Sequence, residues 1–163
     1  MDGLRRWFVG LPLVFLMAHA IGCDAPIYTE ASRKYPIGSL TDRTQWTITG
    51  DLKAPANAAD GNIFTVAVTG NGATSGSLTI DLGTPGLFNM IALDHGRQEM
   101  GFATEVGIST SLDGRNFTLR HTAAGTRRVS SFLLISPTLA RYIRLTAAVQ
   151  AEKPWSVAEI HIQ

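Results

Sequence analysis

The sequence predicts an antiparallel β-sandwich, and three observations carry that prediction. Apolar residues recur at every second position in short stretches, turn-forming residues separate the stretches, and no long helical spacing appears anywhere. The alternation is clearest at Leu78, Ile80 and Leu82, set between Ser77, Thr79 and Asp81. It returns at Ile143, Leu145 and Ala147, set between Tyr142, Arg144 and Thr146. A side-chain period of two turns one set inward and leaves the other in water. Further strands are expected at 46–49, 63–69, 88–93, 104–110, 117–122, 129–135 and 155–162, eight or nine in all. Between two of them stands Asp113-Gly114, the pair that supplies the positive φ a tight hairpin needs. With 163 residues, 45% hydrophobic and 17% charged, the chain has room for one ordinary domain and enough apolar mass to bury a core.

The amino end reads as an export signal. Arg5 and Arg6 precede an apolar run at 7–17, too short to cross a bilayer core of about 30 Å comfortably. Two processing sites compete there. Ala18-His19-Ala20 suits ordinary signal peptidase, whereas Ala20-Ile21-Gly22-Cys23 resembles a bacterial lipobox, and the second is favoured. Cys23 is the single cysteine, so no intramolecular disulfide can form, and acylation accounts for a lone thiol in an exported chain. The expected organisation is a signal peptide at 1–22, a lipidated tether at 23–44 and a β-sandwich domain at 45–163. This implies a bacterial cell-envelope protein, lipid-anchored and periplasmic or surface-exposed. Asp24 resembles the residue that retains enteric lipoproteins at the inner membrane.

From Cys23 onward the chain carries 12 basic and 12 acidic side chains and is formally neutral. Nucleic acid is excluded as a partner on that ground, since phosphate binding needs a basic stripe and only the pair Arg127-Arg128 stands out.

Five fragments in order resemble the discoidin, or coagulation-factor type C, family, kin to galactose-type carbohydrate-binding modules. They are Asp60-Gly61-Asn62-Ile63-Phe64-Thr65, Ser77-Leu78-Thr79-Ile80-Asp81-Leu82-Gly83, Ser111-Leu112-Asp113-Gly114-Arg115-Asn116-Phe117, Ala140-Arg141-Tyr142-Ile143-Arg144-Leu145 and Ser156-Val157-Ala158-Glu159-Ile160. The resemblance implies an all-β, antiparallel jelly-roll sandwich of the galactose-binding-domain-like kind. It departs at Ala67, near where members carry an aromatic, and Trp46 is expected to fill that part of the core.

The resemblance also implies a structural calcium ion. Asp60, Asn62 and Thr65 offer three oxygen side chains in one short turn, and Glu159 closes the shell from the last strand. The competing reading is a turn capped by its own side chains. Glu159 favours the ion, because a charge in an apolar strand needs a partner.

Ligand recognition is expected in loops at one end of the sandwich. The loop at 69–76 is small and polar, a plain connection. The loop at 94–102 gathers His95, Arg97 and Phe102, a mixture that suits a sugar's hydroxyls and its apolar face. The loop at 149–155 adds Trp155, read either as a stacking platform or as core. Catalysis finds no support: His95, His121 and His161 lack metal-ligand neighbours, and the sequence has no nucleophile elbow or phosphate-cradling loop. The reading is a non-catalytic envelope module that recognises a glycan; the alternative is a structural or protein-interaction lipoprotein whose partner is an envelope protein.

Overall fold

The computed structural model describes Leu40 and residues 42–163; the export signal, Cys23 and most of the expected tether lie outside the described residues. Eight strands follow in order: β1 (Thr47–Gly50), β2 (Ala67–Val68), β3 (Ser75–Asp94), β4 (Glu105–Ser111), β5 (Thr118–Ala123), β6 (Val129–Ala148), β7 (Ser156–Val157) and β8 (Glu159–Ile162). Two short 3-10 segments, Arg43–Gln45 and Pro55–Ala59, flank β1. All strand pairings are antiparallel.

The frame is the long ribbon of β3 and β6. β1 and β8 pair with β3, β4 pairs with β6, β5 lies beyond β4, and β2 and β7 form a separate two-stranded pair. The sequence reading expected two strands where each of β3 and β6 runs unbroken for 20 residues. The difference lies in how the turn-forming residues are used. Pro85 and Pro137 fall inside two register shifts, between Asp81 and Gly86 and across Phe88 and Met90, where no ladder N–H is required. The residues that promised loops instead bend a continuous ribbon.

The second bulge also shifts the phase of burial along β3. Leu78, Ile80, Leu82 and Phe88 are buried before it, and Ile91 and Leu93 after it. Together with Val106, Ile108, Phe132, Leu134, Ile143, Leu145 and Ile160 they build one core. Each such side chain contributes about 1.5–3 kcal/mol by leaving water.

Two boundaries move. The strand expected at 63–69 shrinks to Ala67–Val68, because Asp60 and Asn62 fold the preceding residues into a turn through bonds to Asn62 N–H and Phe64 N–H. Packing also begins upstream of Gln45: Leu40 is buried against Gly86, and Arg43 pairs with Glu159. Trp46 is half-buried against the core, with its indole Nε1 lacking a partner.

Candidate functional site

Four connections meet at the end of the sandwich where β3 stops. The loop after β3 is held there by bonds that reach far along the chain. His95 N–H donates to the Arg128 carbonyl at 2.8 Å, Arg128 N–H donates to the Glu99 carbonyl at 3.1 Å, and Ser156 N–H donates to the Gly101 carbonyl at 2.8 Å. Arg128 adopts φ 67, and that left-handed turn aims both its peptide groups at the neighbouring loop. Gly96, at φ +56, sits so close to the Ile63 carbonyl that a Cβ there would lie 2.5 Å from its oxygen. This close approach draws the 60–66 loop against the 95–101 loop.

The contact places Phe64 beneath Arg97. The guanidinium lies 4.3 Å from the centre of the Phe64 ring, and the ring remains 63% exposed. Beside them a cleft of about 430 Å³ is lined by Arg97, Gln98, Glu99 and Met100 on one wall and by Glu152, Lys153 and Pro154 on the other. Such a site offers flat apolar surface and several N–H donors, the combination that holds a polar ring-shaped ligand.

His95 lies behind this wall. It is fully buried, with Nδ1 2.6 Å from the Ser156 carbonyl and Nε2 2.9 Å from Ser130 Oγ. A carbonyl can only accept, so Nδ1 carries the proton and Nε2 accepts from the Ser130 hydroxyl. Burial pushes the imidazole below its ordinary pKa, opposed by the Ser156 carbonyl and by the charge of Asp94.

The oxygen-rich turn lies near the start of the domain. Asp60 accepts from Asn62 N–H at 2.9 Å and from the Thr65 hydroxyl at 2.6 Å, and Thr65 Oγ1 lies 2.8 Å from the Asn62 carbonyl. Glu159 is buried on β8; its Oε2 accepts from the Arg43 guanidinium, while its Oε1 has no hydrogen-bond partner. Arg43 also reaches His161 Nδ1, and burial together with the Arg43 charge lowers the pKa of His161. Among the described residues, no group of three or more His, Cys, Asp or Glu side chains gathers as a metal cage. Oxygens of this kind suit calcium, and Glu159 Oε1 is a buried acceptor left without a bond, although Arg43 already balances the Glu159 charge.

The F5/8 type C domain family matches residues 30–160. The chain belongs to that family.

The fold of this F5/8 type C domain is shared by solved carbohydrate-binding modules. The family 32 module of Clostridium perfringens NanJ, in complex with galactose, is 25% identical, with a TM-score of 0.64 over 74% of this chain and 94% of that one. A second Clostridium perfringens family 32 module, in complex with GalNAc-β-1,3-galactose, is 20% identical, with a TM-score of 0.63 over 72% and 94%. The Ruminococcus gnavus GH29 fucosidase, in complex with fucose, is 21% identical, with a TM-score of 0.63 over 82% of this chain but 28% of the enzyme. No curated protein is significantly similar in sequence.

Within this F5/8 type C domain the expected ligand residues separate. Arg97 is exposed on the cleft and Phe102 is half-buried. His95 and Trp155 do not face a ligand, which corrects the expectation for both. His95 braces the loop from within. Trp155 is fully buried, its backbone N–H donating to Thr69 Oγ1 at 3.0 Å, and fills the core as the second of its two readings held. Of the oxygen donors, Asp60, Asn62 and Thr65 share one turn, whereas Glu159 is paired with Arg43. Sequence reasoning missed Phe64, assigned to a strand, and passed over Lys153. The usable signal was an aromatic two residues after Asn62 of an Asp-Gly-Asn turn, where a side chain has little core to enter.

Proposed function

We propose that this domain is a non-catalytic carbohydrate-binding module that takes a sugar in the cleft between the 95–101 and 149–155 loops. The observation that carries the reading is the guanidinium of Arg97, a cleft-lining residue, laid over an exposed Phe64 ring. The sugar's apolar face packs on Phe64 and Met100, and its hydroxyls accept from Arg97, Gln98 and Lys153. Family membership and the galactose complex of the NanJ module support the reading. An array of glycans followed by calorimetry tests it. Binding that a Phe64→Ala change abolishes supports it, and silence across the array with calcium present refutes it.

The module sits in the cell envelope, anchored through lipid on Cys23 after loss of 1–22. Labelling with a radioactive fatty acid, lost in Cys23→Ser, is the expected outcome. A protein partner on the same loops is the second reading. It draws support from Ile63 and Met100, each 49% exposed beside the cleft. Recovery of one envelope protein by the intact domain, and not by a variant lacking residues 94–102, favours it.

Calcium belongs to the same proposal. Asp60, Asn62, Thr65 and Glu159 would hold the ion, which when bound supplies positive charge that fixes the 60–65 turn to β8. The residues contribute the oxygens, and Arg43 shares Glu159. Calcium raises the melting temperature of the wild type and not that of Asp60→Ala; equal melting with ion and with chelator in both proteins rejects the ion.

A further inference from the structure

We infer that the cleft's ligand is an acidic sugar, with a ring carboxylate received by Arg97 and Lys153; this rests on the carbohydrate reading and specifies its substrate class. Four arginines have carboxylate partners: Arg43 with Glu159, Arg127 and Arg128 with Glu99, and Arg141 with Asp81. Arg97 and Lys153 have none among the described residues, yet both line the cleft.

The acidic groups nearby do not cancel them. Glu99, on the same wall, lies 2.6 Å from Arg127 Nη2 and 3.8 Å from Arg128 Nε, so its charge is already shared between two cations. Glu152 is the single other carboxylate lining the cleft. Among the charged residues that line the cleft, Glu99 is thus taken up by Arg127 and Arg128, which leaves Arg97 and Lys153 against Glu152 alone, an excess of one positive charge in a chain that is formally neutral from Cys23 onward. The excess is local.

Arg97 is also held in a way that keeps its donors available. An aromatic ring at 4.3 Å restrains the guanidinium plane without consuming its N–H groups, whereas an ion pair would occupy them. A guanidinium presents a planar fork that matches the two oxygens of a carboxylate. A neutral sugar in the cleft would take water from two cations and return no counter-charge, and a carboxylate returns one. Glu152 disfavours more heavily charged phosphate or sulfate esters, and the Phe64 face calls for a ring beside the anion.

The test titrates the domain with galacturonate, glucuronate, mannuronate and N-acetylneuraminate, and with galactose, glucose and mannose as neutral counterparts. Heteronuclear NMR shifts at about 0.02 M and about 0.5 M salt, across the Debye range, provide the readout. One carboxylated sugar binds at least about tenfold more tightly than its neutral counterpart, and salt erodes the difference. Arg97→Gln and Lys153→Gln, both at exposed positions and checked for folding by circular dichroism, each weaken the carboxylated sugar by a larger factor than its neutral counterpart, so that the preference falls. Equal or tighter binding of the neutral counterpart, or a preference unchanged in both variants, overturns the acidic-sugar inference and leaves the carbohydrate reading standing. Absence of binding by every sugar overturns both.

Discussion

The ten-residue loop after β3 and the six-residue hairpin between β4 and β5 are opposite in construction. The hairpin closes on itself. Asp113 accepts from Arg115 N–H, Asn116 N–H and the Asn116 amide, and Ser111 Oγ accepts from Asp113 N–H and Gly114 N–H, all within three residues along the chain. These bonds hold the Asp113 carboxyl well below the ordinary carboxylate range. The loop after β3 is closed by residues from two other parts of the chain, with Ser130 and Ser156 on its buried histidine and Arg128, beside Ser130, on its backbone. A self-contained turn can be transplanted without consequence for the rest. A cross-braced loop places its outward side chains relative to several elements at once, which is what a recognition surface requires.

The sharpest way to break this comparison is to remove the brace. His95→Ala leaves Ser130 and the Ser156 carbonyl without their buried partner and opens a cavity, so stability falls by about 2–4 kcal/mol in urea unfolding and sugar binding is lost with it. A smaller cost follows at the hairpin. Gly114→Ala puts a side chain at φ +72 with Tyr142 ring atoms 3.1–3.3 Å from its Cβ, and costs about 1–2 kcal/mol with binding unchanged. Should the hairpin variant impair binding as much as the histidine variant, the two loops do not differ as described.

The same contrast explains what the sequence disclosed. Strand positions were visible because alternation at Leu78, Ile80 and Leu82 is local, and Asp113-Gly114 was visible because its partners are adjacent. His95 was misread as a ligand contact because its partners lie 35 and 61 residues away, and nothing near it in the chain marks it as internal. Phe64 was hidden for the converse reason: its exposure depends on a turn that the period-two pattern counted as strand. Arg97 was legible as a donor in a polar loop, but the ring beneath it comes from 33 positions upstream.

A pH series sharpens the comparison further. The folded-state pKa of His95 is depressed by burial, so the unfolded chain binds the proton more readily. Stability is therefore complete above about pH 6.5 and declines as pH falls toward the folded value, at most about 1.4 kcal/mol per unit for this group. His161, lowered by burial and by Arg43, adds in the same direction. Comparison of His95→Gln with wild type at pH 7.5 and pH 5.5 is expected to give a flatter profile for the variant, and His161→Gln a smaller flattening. Asp113→Asn has the mildest effect of the set. It keeps the local acceptor while removing its charge, with a slight drop in melting temperature that fades at low pH.

Leu40 and Gln163 line the same small hollow with Arg43 and Trp46, and Leu40 rests on Gly86. From Gly86 to Asp94 the strand advances roughly 25 Å before it delivers the 95–101 loop. Leu40 and Gln163 thus lie at one corner of the described domain, Leu40 beside Gly86 and Gln163 bonded to Asn89 and Met90. A short linker joining them, with new ends cut at the Ser111–Thr118 hairpin, should yield a circular permutant that folds.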